Sequence, residues 1–152
     1  MPWFFSSAAY SWAKGIEVTQ FLNPGISIDN SFRVEVRLVD PYRIICPSGG
    51  GSCLISVAQG SSELLIENNI ILDADKISQS GAGSVVACNY TDDSSIDYNL
   101  GWVKVGINAS HMAGGHHVLF EGNYSHNFDS DDTIGNAIYM TVFSTWHGGR
   151  RT

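Results

Sequence analysis

Three segments of this chain reach an asparagine after a similar short run: Leu64 to Asn69 (LLIENN), Ser84 to Asn89 (SVVACN) and Val118 to Asn123 (VLFEGN). A fourth, Met140 to Thr145 (MTVFST), ends on a hydroxyl instead of an amide. The corner positions are 20, 34 and 22 residues apart. A repeat near this length with one strand-and-corner unit per period constrains the fold more than any other feature. One such unit cannot bury its apolar face alone, whereas stacked copies can. In this register the inward pairs are Leu64/Ile66, Ser84/Val86, Val118/Phe120 and Met140/Val142. Asparagine tolerates a left-handed backbone at a corner, and its amide can bond the next asparagine of the stack. The expectation is a column of amides beside an apolar core. The longest interval contains Trp102 to Ser110, read as an enlarged loop or an extra strand.

The rest of the chain fits this pattern. Ile16-Glu17-Val18, Ile26-Ser27-Ile28 and Val34-Glu35-Val36 alternate with the period of two expected of a strand with one face inward. Asn23-Pro24-Gly25 and Asp29-Asn30-Ser31 between them are turn chemistry. Further strands are expected at 54–57, 64–72, 84–90, 102–107, 118–124 and 138–143, after an excursion over 40–52 that carries Pro41, Pro47 and Gly49 to Gly51. No stretch keeps helical periodicity over three turns. The reading is an all-β chain forming a single domain over 1–152. Within it, residues 1–14 read as an N-terminal cap or arm and 146–152 as a C-terminal tail. Ala8, Ala9 and Trp12 suit a helical turn, and Trp3, Phe4 and Phe5 suit a plug for an exposed core end.

Composition narrows the partners. Only 15% of residues are charged, 43% are apolar, 16 are glycine and the net charge is -7. Few charges with much glycine suit a turn-rich β protein. The acidic balance argues against nucleic acid, which needs clustered Lys and Arg. No membrane partner is expected either, because the apolar N-terminal run is too short to span a bilayer. That run also makes a poor signal peptide, having no basic residue before Lys14. A secreted or cell-surface parent protein remains the expected setting. Cys46 and Cys53 flank a Gly-rich loop and could pair, but three reduced thiols, with Cys88, are the simpler reading.

LIENN with its echoes, together with GIEVTQ and GISIDNSFRVEVR at the opening, resembles the right-handed parallel β-helix proteins of the pectate-lyase-like superfamily. The resemblance spans about Gly15 to Thr145 and implies a solenoid of about five to six short coils, shorter than most members. Its members include polysaccharide lyases, glycoside hydrolases, carbohydrate esterases and phage tailspikes. It therefore implies a polysaccharide or oligosaccharide partner. A short solenoid has two open ends, so a homo-oligomer joined through an uncovered end or face is also expected.

The residues that could carry chemistry cluster between His111 and Asp132. Asp129 and Asp131 could supply hard oxygen ligands for Ca²⁺, although the EF-hand pattern is absent. Asp92 and Asp93 follow the preceding corner and could be stacked against them. Four of the five histidines, His111, His116, His117 and His126, fall in this stretch. His126 beside Asp129 or Asp131 could act as base and orienter. For a glycoside hydrolase, the resemblance implies Asp131, Asp132 and Asp93 as acid and base. For a lyase it implies Ca²⁺ and a basic residue, with Lys104 and Arg37 the mid-chain cations on strands; the family's arginine motif is not recognisable. Substrate contacts are expected from Trp102, Tyr124, His117 and Lys104, with Tyr90, Tyr98 and Trp146 as further stacking aromatics. Ser11 and Lys14 form an SxxK match, which would support ester hydrolysis if lysine reached the serine. The alternative to an enzyme is a glycan-binding or self-assembling β-helix with these groups scattered over different faces. Sequons at Asn89, Asn108 and Asn123 are read as non-acceptors, since a glycan would block stacking at a ladder corner.

Overall fold

The computed structural model describes residues 3–19, 24–42, 53–58, 60–72, 76–79, 81–92, 106–109, 115–130 and 138–147. Within them the chain forms strands and no helix. In chain order the first six are β1 (Trp3–Ser6), β2 (Trp12–Lys14), β3 (Glu17–Thr19), β4 (Ile26–Asp29), β5 (Glu35–Arg37) and β6 (Asp40–Tyr42). Next come β7 (Cys53–Val57), β8 (Leu65–Glu67), β9 (Ile70–Leu72), β10 (Lys76–Gln79), β11 (Val85–Ala87) and β12 (Tyr90–Asp92). The last are β13 (Ile107–Asn108), β14 (Leu119–Glu121), β15 (Tyr124–Ser125), β16 (Phe128–Asp129), β17 (Thr141–Phe143) and β18 (Trp146–His147).

Strands pair with those three places further along the chain. The first sheet runs β1-β4-β7-β10-β13-β16, the second β17-β14-β11-β8-β5-β2 and the third β18-β15-β12-β9; β3 and β6 form a separate pair. Every pair is parallel. The arrangement is all-β, consistent with a β-solenoid and compatible with a parallel β-helix.

The core forms because like residues occupy the same column. Ile26, Ile55, Ile77 and Ile107 align across the first sheet and are each fully buried. Val36, Ile66, Val86 and Phe120 do the same in the second. Each such side chain contributes about 1.5–3 kcal/mol by leaving water. Five of the six residues in the first three inward pairs are apolar; the sixth, Ser84, is buried with its hydroxyl donating to Ala82 O at 3.1 Å. In the last pair, Met140 is half-buried and Val142 is 44% exposed, because β17 is an edge strand.

The asparagine column is present. Asn69 Nδ2 donates to Asn89 Oδ1 at 2.9 Å, and Asn89 Nδ2 donates to Asn123 Oδ1 at 3.0 Å. The same amides donate inward to Val36 O, Ile66 O and Val86 O. A serine column lies elsewhere: Ser31 N–H donates to Ser61 Oγ at 3.2 Å, with both residues buried.

Two local expectations change. The left-handed residue is not the ladder asparagine but the residue before the column: Gly15, Leu38, Asn68, Cys88, Gly122 and Ser144, with φ from 51° to 62°. The asparagine instead points inward, where its amide replaces the missing main-chain partners. Residues 3–14 also form no helical turn. They make β1 and β2, paired to β4 and β5, because Phe5 and Ala13 alternate inward while Phe4, Trp12 and Lys14 face out. The segment read as a tail begins with β18 in the third sheet.

Candidate functional site

The His/Asp stretch is divided among different parts of the stack. His126 sits half-buried at the corner between β15 and β16, where the chain passes close over Gly106. A Cβ at Gly106 would lie 2.8 Å from Ser125 Cβ and 3.2 Å from His126 N, so only glycine fits. Asn127 closes this corner by accepting from Gly106 N at 3.0 Å. Asp129 lies in β16, beside Asn108, whose amide donates to its Oδ2 at 3.3 Å. Asp131, Asp132, Asp93, Trp102 and Lys104 lie outside the described residues. Among the described residues, no three His, Cys, Asp or Glu side chains converge as a metal site.

His117 occupies another corner, with φ 54°. Its ring stacks on Tyr139 at 5.0 Å, and its Nδ1 lies 2.8 Å from His116 Nδ1. That contact requires one ring to donate and the other to accept. Tyr124 lies within an aromatic column: Tyr90 is stacked on it at 4.6 Å and Trp146 lies tilted at 4.7 Å. Its two neighbours in the column take the positions a stacked sugar would need.

Ser11 and Lys14 are not brought together. Ser11 sits just ahead of β2 and Lys14 at its last position, with no hydrogen bond between them. The Ser11 hydroxyl donates instead to Ala9 O at 3.1 Å. Asn89, Asn108 and Asn123 are all buried, so none of the three sequons offers its amide to a glycan. Cys88 is a free, exposed thiol; Cys46 and the Cys53 side chain lie outside the described residues.

The outer face of β2, β5 and β8 supplies a group that was not expected. Tyr10, Ser11, Trp12, Arg33, Glu35, Glu63 and Leu65 line an open depression of about 350 Å³. Trp12 is 70% exposed and Tyr10 66%. Arg33 Nε donates to Glu63 Oε2 at 2.7 Å, while its guanidinium carbon lies 5.6 Å from the Tyr10 ring centroid and 5.0 Å from that of Phe32. The hydrogen bond to Glu63, then that residue's charge, holds the guanidinium above its ordinary value, so Arg33 stays cationic. Beside it Arg37 pairs with Glu35 at 3.4 Å and with Glu67. Such half-exposed pairs add little stability. They do fix donors and acceptors around an uncovered indole. The signal was present in the sequence as outward residues alternating with Ala13 and Val36, but the asparagine frame begins only at Asn69.

Comparison with protein families, with curated proteins and with solved structures returned no match.

Proposed function

We propose that this chain is a carbohydrate-binding β-helix, right-handed and wound in six coils, that holds an oligosaccharide on the outer face of its second sheet. Three strands per turn of chain and two sheets of six strands support that coil number. The hand follows the general preference of parallel crossover connections.

The carrying observation is Trp12, 70% exposed beside the Arg33–Glu63 pair in the 350 Å³ depression. A pyranose presents an apolar C–H face to an indole and hydroxyls at its rim. Glu35 and Glu63 would accept from those hydroxyls, and Arg33 would donate to ring or hydroxyl oxygens. The space suits one or two sugar units. A binding role is favoured over catalysis because Glu35 and Glu63, the carboxylates that share the depression, are each held in an ion pair, with Arg37 and Arg33, and no described imidazole lines it. Glu35 and Glu67 lie on the second sheet, Glu63 at the left-handed corner before β8 and Asp129 on the first sheet, while His117 and His126 sit at corners and His147 in β18.

The test is binding of neutral and uronate-containing oligosaccharides by titration calorimetry. Trp12→Ala and Arg33→Ala should each weaken binding about tenfold or more, the scale of one aromatic or charge-assisted contact. Tyr124→Ala should leave affinity nearly unchanged. Equal losses in all three variants would refute the placement. A parallel turnover screen, with and without Ca²⁺, compares the parent protein with Asp131→Ala and His126→Ala. Turnover abolished by those substitutions would replace the binding reading with the lyase or hydrolase one.

A further inference from the structure

Nine of the thirteen exposed large apolar side chains among the described residues lie at the two ends of the stack, and Leu38, Ile70, Leu72 and Tyr90 lie on the windings between. Trp3, Phe4, Tyr10 and Trp12 belong to the first rung, and Ile138, Tyr139, Val142, Phe143 and Trp146 to the last. These rungs also carry edge strands: β1 and β2 at one end, β16, β17 and β18 at the other. An edge strand offers backbone donors and acceptors to whatever parallel strand meets it.

The two rungs continue one another column by column. The column of Val36, Ile66, Val86 and Phe120 begins at Ala13 and ends at Val142. The bridge column begins at Ala9 and ends at Ile138. The next residue out is Tyr10 at one end and Tyr139 at the other, and His117 already stacks on Tyr139. In the first sheet, Phe4 starts the column that finishes at Asp129.

We infer that the last rung of one copy docks on the first rung of a second copy, head to tail. This contact sets Val142 over Ala13, Ile138 over Ala9 and Tyr139 over Tyr10, and extends the sheets as parallel ladders. Pairing two like ends would reverse the winding of one copy, so the sheets could not all remain parallel. A head-to-tail contact does not close on itself and therefore propagates. This inference shares Tyr10 and Trp12 with the carbohydrate reading, but its readout is mass rather than ligand binding, so failure of one is distinguishable from failure of the other.

Sedimentation velocity and light scattering on the intact chain should show mass rising with concentration. Val142→Glu blocks the last rung, with Phe143→Lys, which sets its ammonium against Lys14 of the neighbouring copy, as the substitute if circular dichroism shows the first variant unfolded. Phe4→Asp blocks the first rung by setting a carboxylate against Asp129 of the neighbouring copy. Each variant alone should be monomeric, whereas an equimolar mixture should form a 1:1 dimer through the two intact ends. Phe4→Lys should keep the assembly. Assembly of Phe4→Asp alone, or a monomer at about 100 µM, a concentration at which even a weak micromolar contact is populated, overturns the inference.

Discussion

Asn89 is the residue whose removal tests the stack most directly. Its Oδ1 accepts from Asn69 N at 3.1 Å and from Asn69 Nδ2 at 2.9 Å. Its Nδ2 donates to Ile66 O and to Asn123 Oδ1, each at 3.0 Å. The residue is 1% exposed, so water cannot replace these partners without opening the core. Asn89→Ala strands the Asn69 N–H and one hydrogen of its amide, and takes a donor from Ile66 O. At about 1–3 kcal/mol for each of the two stranded donors, the loss should be about 2–6 kcal/mol. That is comparable with the whole stability of many domains. Asn89→Asp separates hydrogen bonding from shape. Its carboxylate still accepts from Asn69 but faces the oxygens of Ile66 and Asn123. Its proton should be held more tightly folded than unfolded, so stability present at low pH is lost as pH rises through the folded value. Urea unfolding followed by circular dichroism reads both effects. An Asn89→Ala midpoint equivalent to a loss under about 1 kcal/mol would refute the idea that the amide column holds the windings together.

The column stops where Thr145 replaces the amide, and its hydroxyl reaches Phe120 O and Phe143 O only at 3.4 Å. Among the described residues, Asn123 N–H has no acceptor, so Thr145→Asn should extend the column and raise stability by about 1 kcal/mol, read as a higher urea midpoint. Gly15 and Gly60 both have positive φ, 62° and 76°, but a Cβ at Gly15 meets nothing within 4 Å while one at Gly60 collides with Asn30 Oδ1. Gly15→Ala should therefore cost about 1–2 kcal/mol for the backbone alone, and Gly60→Ala distinctly more, as measured by thermal unfolding.

The asparagine column and the inward pairs were legible because both obey short-range rules. A period of two decides which side chain faces the core, and one amide in register makes the column visible. The left-handed corners were not legible in the same way. Any residue not branched at Cβ can occupy them at moderate cost, and Leu38, Cys88, Glu63, His117 and Ser144 share no chemical mark. The early rungs escaped for a related reason. Val39 holds the column position above Asn69 and offers only its backbone N–H, which donates to Asn69 Oδ1 at 3.0 Å. An amide-based frame therefore begins two rungs too late to recognise β1 and β2.

The proposed binding face was missed because closeness along the chain is a poor guide in a stack. The described part of the dense run, His116 to Asp129, is split among corners and sheets, whereas Tyr10, Arg33 and Glu63 meet although widely separated in sequence. Read in register, one outward column is Tyr10, Arg33, Glu63, Gly83, His117 and Tyr139, each the residue after its bridge position. Its neighbour is Trp12, Glu35, Leu65, Val85, Leu119 and Thr141. Only the first three rungs combine an uncovered indole with fixed charge. At Gly83, Val85 and Leu119 the side chains offer no group that can hydrogen-bond a hydroxyl. A bound sugar therefore gains polar contacts near β2, β5 and β8 and loses them one winding further on, which confines the proposed site to that end of the sheet.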